Sequence, residues 1–155
     1  REAESFDRSG GAGEASWRVI PGLGRSRDSI AGFPVTAAGL EAGELRRNAS
    51  WVEYDFELSQ SGNYTLRLDL VPTFPIEEGR GLRLGFALGD GESQLETLPR
   101  ETGDEAWKEG VLAGSLTLEA EVEVERSGAQ RLRLYLADPG VVVDKWSLSR
   151  EGASR

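Results

Sequence analysis

The stretch that decides the fold is SWVEYDFELSQSGNYTLRLDL, residues 50–70. Apolar side chains occupy every second position on both sides of the turn sequence SQSGN, and most positions between them are polar. Because successive side chains of a β-strand point to opposite faces, this pattern predicts two strands, each with one buried face. Trp51 is the exception, since it has the parity of the polar set. It either packs under its own loop or forms a platform on which a ligand stacks.

The same alternation recurs along the chain and indicates a protein built from β-strands. Gly-rich turn sequences such as SGGAG, GDGES and RSGAQ separate the alternating segments, and no stretch has a helical apolar period over two turns. Residues 37–48 are therefore predicted as loop. The predicted strands are residues 3–6, 17–20, 51–58, 64–71, 82–88, 116–124, 131–137 and 142–149. Short strands joined by such turns indicate a single antiparallel β-sandwich or barrel over the 155 residues.

The clearest hairpin in this pattern pairs residues 116–125 with residues 131–136. Apolar side chains alternate with glutamates in the first segment and mainly with arginines in the second. We interpret the glutamates as cross-strand partners of the arginines on a solvated face, because such pairs stabilise sheets, rather than as a metal site.

Composition excludes several kinds of chemistry. The net charge of −9, from 18 Lys+Arg and 27 Asp+Glu, opposes binding to nucleic acid or to an anionic membrane surface, although it allows a local basic pocket. No apolar run is long enough to span a membrane. The chain has no His and no Cys, which excludes thiol and imidazole catalysis and ordinary zinc sites. Only oxygen ligands remain for a metal, and these favour a hard cation such as calcium.

Two carboxylates lie close together near the start of the chain. Glu2 and Glu4 are two positions apart, so in an extended segment they share one face. Burying both without a partner would be unfavourable. They either remain solvated at a sheet edge or are neutralised by a cation or an arginine. Asp144, in the last predicted strand, is a third candidate ligand if the first and last strands are neighbours.

Three tryptophans are not explained by the alternation, namely Trp17, Trp51 and Trp107. Aromatic rings near loops can stack on the apolar faces of sugars, although burial in the core is the competing interpretation for each. Arg46, Arg47 and Asn48 closely precede Trp51. Two guanidinium groups, an amide and an indole within six residues therefore make a candidate site for a sugar acid.

Four segments resemble, in order along the chain, the C-terminal domain of glycoside hydrolase family 115, the bacterial xylan α-glucuronidases. They are REAESF, SWRVIPGLGRSRDSI, WVEYDFELSQSGNYTLRLDLVPTFP and LADPGVVVDKWSLS. The resemblance runs from about Glu2 to Ser149 and is most specific in residues 71–75 and 138–145. The wider outline is similar to carbohydrate-binding module families 6 and 35.

This resemblance implies a galactose-binding-like jelly-roll sandwich that is appended to a larger bacterial enzyme, either secreted or periplasmic. The hydrolytic chemistry of that enzyme would lie in a separate domain, and the absence of a leader sequence and of Met agrees with an excised module of residues 1–155. In the related modules a structural calcium is bound by the opening Glu-x-Glu and by an Asp in the last strand. The resemblance therefore implies calcium at Glu2, Glu4 and Asp144.

Two functions are open at this point. The first is a non-catalytic carbohydrate-binding module for xylan or glucuronoxylan, which stacks the sugar on Trp51, Trp17 or Trp107 and pairs a uronate with Arg46, Arg47 or Arg25. The second is a structural domain that docks on its parent catalytic domain or forms a homodimer through the parent enzyme. The second predicts an exposed apolar patch, whereas the first predicts a groove with aromatic and hydrogen-bonding groups.

Overall fold

The computed structural model describes residues 1–74, 77–98 and 105–152, apart from the side chains of residues 106 and 107. Within these residues two antiparallel sheets of five strands each form an all-β sandwich of the predicted class. The first sheet consists, in spatial order, of β1 (Arg8–Gly11), β4 (Ser50–Leu58), β9 (Gly128–Tyr135), β6 (Arg83–Leu88) and β7 (Gln94–Thr97). The second sheet consists of β2 (Ser16–Ile20), β3 (Ser29–Phe33), β10 (Val142–Arg150), β5 (Gly62–Leu70) and β8 (Leu116–Val124).

The main core lies between the two sheets and contains the alternating residues of the opening stretch. Val52 and Tyr54 of β4 are buried there, together with Leu66 and Leu68 of β5. Burial of an aliphatic side chain of this size contributes about 1.5–3 kcal/mol relative to leaving it exposed. Since β4 and β5 belong to different sheets, the turn between them crosses the sandwich, and the two strands bring the two layers together.

The predicted hairpin between residues 116–125 and 131–136 is wrong. β8 pairs with β5 at the edge of the second sheet, whereas β9 lies between β4 and β6 in the first. The alternation nevertheless identifies the inward-facing leucines and valines of both strands correctly. Alternation decides which face of a strand is buried, but it does not choose the neighbouring strand. The arginines of β9 therefore meet Glu53 of β4 rather than the glutamates of β8.

The predicted strand at residues 3–6 is also wrong. This segment forms only an isolated bridge between Glu2 and Lys145, and the nearby edge strand is β1. β3 and β7 lie outside the predicted strands. Four of the five residues of β3 are fully buried, so the strand has no polar face to produce alternation, and β7 is short and mostly polar.

Two short helical segments replace part of the loop predicted at residues 37–48. A turn of 3-10 helix (Ala42–Glu44) runs into α1 (Leu45–Asn48). Leu45 is buried on the outer face of the first sheet, and a β-carbon at Gly85 would come within 2.6 Å of its side chain. A second helix, α2 (Glu105–Ala113), precedes β8. None of the described helices is long and apolar enough to cross a membrane.

Candidate functional site

Trp51 lies on the outer face of the first sheet, between Gly10 of β1 and Tyr135 of β9 in the strand register. The guanidinium carbon of Arg133 is 4.0 Å from the centroid of its ring, which is the geometry of a cation–π contact. Trp51 is half-buried and packs against the cluster that contains Leu45 and Tyr135. It is therefore an outward-facing residue, as its parity predicts, but one that is held in place by an arginine.

A buried carboxylate occupies the next row across the same face. In the strand register Glu53 lies between Arg8 and Arg133, and it is only 2% exposed. Arg133 donates two hydrogen bonds to Glu53 Oε2, at 2.9 and 2.6 Å, and Arg8 Nε donates one to Oε1 at 2.8 Å. Burial acts to raise the pKa of Glu53, but the hydrogen bonds from Arg133 and Arg8 outweigh it and hold the pKa below its ordinary value.

A groove begins beside this row on the first sheet and extends to the end of β8 in the second sheet, where Glu123 and Val124 line it. Its wider part, of about 590 Å³, is lined by Asp55, Gln130 and Arg131 and by the turn after β6. At Gly89, Asp90 and Arg131 it continues into a smaller depression of about 260 Å³. We call this depression the basic end of the groove, because it is lined by three arginines and two acidic residues, namely Arg46, Arg131, Arg133, Glu53 and Asp90.

The structure separates the side chains of the predicted sugar-acid site. Arg46 lines the basic end, where it donates hydrogen bonds to the carbonyl oxygens of Asp90 and Gly91. Arg47 is exposed and lies outside the described lining of the groove. Asn48 lines a different depression, of about 110 Å³, at one end of the sandwich.

The remaining predicted contact residues do not join this site. Trp17 lies on β2 in the second sheet, half-buried against the core and the small cluster that includes Leu136. Arg25 lies in the loop between β2 and β3, where its side chain donates to Ser115 Oγ at 3.3 Å. The side chain of Trp107 falls outside the described part of the structure.

The residues that dominate the groove are absent from the sequence-based prediction. Arg131 and Arg133 alternate with buried leucines, so their outward orientation could be deduced from the sequence. The proximity of β9 to β4 could not, because it depends on strand order rather than on alternation. Glu53 has the same parity as Trp51 and could have been grouped with it.

Glu2 and Asp144, two of the three predicted calcium ligands, lie near one another where Glu2 forms a bridge to Lys145 of β10. The nitrogen of Ala3 donates to the carbonyl oxygen of Asp144 at 2.9 Å. Asp144 is 1% exposed, and neither of its carboxylate oxygens has a hydrogen-bond partner among the described residues. Glu2 Oε2 and Glu4 Oε2 are likewise buried without a described partner.

The loop between β2 and β3 lies against the carboxylates of Glu2 and Asp144. A β-carbon at Gly24 would come within 2.3 Å of Asp144 Oδ1 and 2.5 Å of the carbonyl oxygen of Asp28. Ser26 Oγ donates to Glu2 Oε1 at 2.8 Å. We call this arrangement the oxygen cradle, defined by Glu2, Glu4, Gly24, Asp28 and Asp144.

The donor set of the oxygen cradle fits a hard cation. Carboxylate and carbonyl oxygens are the ligands that calcium prefers, and buried carboxylates without partners are costly unless a cation neutralises them. Among the described residues, however, no group of three or more acidic side chains already has the arrangement of a metal site. Binding of an ion would therefore require the side chains to move toward one another.

Two five-stranded antiparallel sheets packed around a shared core make this protein a jelly-roll β-sandwich. The family follows from the sequence. The chain belongs to the glycosyl hydrolase family 115 C-terminal domains, whose family model matches residues 1–155. No curated protein matches the chain.

Solved structures with the same fold include an enzyme and two isolated modules. BtGH115A, a family GH115 4-O-methyl-α-glucuronidase with specificity for decorated arabinogalactans, is 19% identical over 94% of this chain, with a TM-score of 0.68. This chain covers 18% of BtGH115A. The C-terminal family 6 carbohydrate-binding module of the laminarinase LamC from Zobellia galactanivorans is 18% identical, with a TM-score of 0.58, and 96% of each chain is covered.

The third structure is a family 35 carbohydrate-binding module from Clostridium thermocellum. It is 12% identical, has a TM-score of 0.62, and again 96% of each chain is covered. At these identities the likenesses show the fold.

Proposed function

We propose that this domain is a non-catalytic carbohydrate-binding module that holds xylan or glucuronoxylan for a larger glycoside hydrolase. The observation that carries the proposal is the open groove on the first sheet, whose basic end is bordered by the Trp51–Arg133 pair. An open groove accepts a polymer along its length, and its guanidinium, amide and carboxylate groups can exchange hydrogen bonds with sugar hydroxyls.

The ionisation of the groove carboxylates supports a binding role rather than hydrolysis. Glycoside hydrolysis uses one carboxylic acid that stays protonated until it donates to the leaving group. Hydrogen bonds from Arg8 lower the pKa of Asp55, and that of Glu53 is also held below its ordinary value. Both groups are therefore ionised near neutral pH, which suits recognition of hydroxyl groups but does not suit a general acid.

The oxygen cradle is proposed to hold a structural calcium ion through Glu2, Glu4, Asp144 and the carbonyl oxygen of Asp28. The ion would neutralise the buried carboxylates and fix the loop between β2 and β3 to the chain entry. A xylan-binding module acts where plant cell-wall polysaccharide is found, so we propose a secreted or periplasmic bacterial protein, with its catalytic domain elsewhere in the same chain.

A second candidate function is docking on the parent catalytic domain or dimerisation through the parent enzyme. Leu112, on α2, is 89% exposed, and Val111 beside it is 44% exposed. We propose that these two neighbouring apolar side chains belong to a surface that the catalytic domain or a second protomer covers. This surface is separate from the described lining of the groove.

Calorimetric titration with glucuronoxylan, uronate-free xylan and decorated arabinogalactan tests the proposal. We expect saturable binding to xylan that weakens in Arg46→Ala, because Arg46 lines the groove, and that is unchanged in Arg47→Ala, its neighbour outside the groove. Binding to arabinogalactan alone would overturn the xylan assignment. The absence of binding to all three polymers would overturn the assignment as a carbohydrate-binding module and would favour docking through Leu112.

A further inference from the structure

The basic end of the groove carries a local positive charge in an acidic protein. Its three arginines face two acidic residues, Glu53 and Asp90, whereas the whole chain has a net charge of −9. The far end of the wider part has the opposite sign, since Glu123 and Glu125 border it beside Arg126. A ligand that occupies the groove therefore meets a basic pocket at one end only.

The three arginines at this end are not equally available to a ligand. Arg133 is committed to Glu53 by two hydrogen bonds and to Trp51 by its ring contact. Arg131 Nη1 lies 3.7 Å from Glu53 Oε2, which is too long for a hydrogen bond. The side chain of Arg131 is 44% exposed, and it makes no hydrogen bond from its guanidinium to a described residue. Its donors are free for a ligand.

Arg46 faces Arg131 across the basic end, on the wall formed by α1. Among the described residues the partners of its guanidinium are the carbonyl oxygens of Asp90 and Gly91. Carbonyl oxygens do not neutralise the charge of a guanidinium, so Arg46 keeps its attraction for an anion. Arg131 and Arg46 thus present two guanidinium groups, neither of them hydrogen-bonded to a described carboxylate, to a space of about 260 Å³. This space is smaller than pockets for drug-sized ligands, about 300–1,000 Å³.

We infer that the basic end of the groove is a subsite for the carboxylate of a single sugar acid, with Arg131 as the residue that determines specificity and Arg46 as its partner. Planar guanidinium groups match a carboxylate in geometry and charge. Glu53 is a positioning residue, because its buried carboxylate accepts hydrogen bonds from Arg8 and Arg133 and attracts the guanidinium of Arg131. This inference rests on the proposed function, since the sugar backbone would occupy the wider part of the groove.

The test uses the 155-residue chain and two xylo-oligosaccharides of equal length. One bears a glucuronic acid branch, and the other is the same compound with its carboxylate reduced to an alcohol. We expect the acidic compound to bind about tenfold more tightly, as for a charge-assisted hydrogen bond. Arg131→Gln should remove this preference, so that the two compounds bind the variant with equal affinity. Arg47→Gln, an exposed arginine outside the groove, is the matched control.

A second readout separates charge recognition from a loss of folding. The affinity for the acidic compound should fall as salt is raised from low to about 0.5 M, while that for the reduced compound stays constant, because salt screens exposed charges. Equal affinity of the wild type for both compounds would overturn the subsite and leave the carbohydrate-binding module standing. Binding of neither compound would instead overturn the proposed function. An unchanged preference in a folded Arg131→Gln variant would also overturn the role of Arg131.

Discussion

The guanidinium of Arg133 lies over the indole of Trp51, 4.0 Å from the ring centroid, while two of its nitrogens donate to the buried carboxylate of Glu53. The aromatic ring that breaks the alternation of residues 50–70 is thereby tied to a charged row on the same sheet face. One face of the ring is covered by this cation. A sugar that stacks on Trp51 would therefore have to contact the part of the ring that remains exposed, or displace Arg133. The Trp51–Arg133 pair is therefore better suited to border the groove than to act as a stacking platform.

Gly10→Ala should disturb this pair. A β-carbon at Gly10 would lie 2.8 Å from Trp51 Cζ2, so the added methyl group must push the indole away from its position. We expect the free energy of unfolding to fall by about 1–3 kcal/mol, as for other overpacked sites, measured by urea denaturation. Gly43→Ala is the control, since nothing lies within 4 Å of its β-carbon position, and an equal loss in both variants would contradict the explanation.

Asp138→Asn should destabilise the fold strongly. Asp138 is buried and accepts hydrogen bonds from Arg83 Nε and Nη2, both at 3.1 Å, and from the Arg83 backbone at 2.8 Å. Removing the carboxylate charge leaves the buried guanidinium of Arg83 with only the exposed Glu41 as an ionic partner among the described residues. We expect a loss of about 3–5 kcal/mol in the free energy of unfolding.

The control for this variant is Asp69→Asn. Asp69 pairs with Arg67 at 3.0 Å on the outer surface, where Arg67 is half-exposed. Such surface pairs contribute about 0–1 kcal/mol. If Asp138→Asn costs no more than Asp69→Asn in parallel urea titrations, the buried network does not have the stabilising role assigned to it.

The alternation of apolar residues predicts the fold class because burial on one face is a property of each strand alone. Val52, Tyr54, Leu66 and Leu68 can be assigned to the core without knowing any partner. Strand order is a different matter. The erroneous pairing of residues 116–125 with 131–136 is consistent with the charges of both segments and with the turn sequence between them. It does not form because β8 pairs with β5 and β9 pairs with β4.

The candidate site was only partly accessible from sequence for the same reason. Glu2 and Glu4 could be paired because they share one face of an extended segment, and a family resemblance placed Asp144 with them. Arg131 could be assigned to an outer face but not to the face that carries Trp51. Arg46 and Arg47 are neighbours in sequence, yet the single turn of α1 directs only Arg46 into the groove.

Stability should decrease in acid through two buried carboxylates. Burial acts to raise the pKa of Glu53 and of Asp138, but hydrogen bonds from Arg133 and Arg8, and from Arg83 and Arg80, leave both below their ordinary values of 4.5 and 3.8. A carboxylate whose pKa is lower in the folded state contributes stability above its unfolded pKa, and this contribution is lost as the pH falls through the folded value. The free energy of unfolding should therefore be level from pH 7 to about pH 5 and decline below it.

Urea denaturation at intervals from pH 7 to pH 3, on protein freed of calcium at pH 7 and kept in calcium-free buffer, measures this profile. The decline should be shallower in Asp138→Asn, which lacks one of the two titrating groups. A stability that stayed level or rose toward pH 3 would contradict the lowered pKa values.

Calcium should raise the thermal stability of the domain through the oxygen cradle. An ion that binds only the folded state at a free concentration of 100 times its dissociation constant adds about 2.7 kcal/mol to the free energy of unfolding. We expect a higher Tm in millimolar calcium than in excess chelator. Asp144→Asn should remove the difference, because both oxygens of that buried carboxylate are without a described partner. Gly24→Ala should also remove it, since the methyl group would fill the space beside Asp144 Oδ1 and the Asp28 carbonyl.

Glu119→Gln is the matched control for the calcium effect. Glu119 is an exposed acid on β8 that pairs loosely with Arg67, at 3.8 Å, and lies outside the oxygen cradle, so its variant should keep the full response to calcium. Equal Tm values for the wild type with and without calcium would contradict the proposal that the domain binds a stabilising calcium ion. The wild type would then respond to calcium no more than Asp144→Asn does. A calcium response that survives in both Asp144→Asn and Gly24→Ala would place the ion elsewhere on this acidic chain.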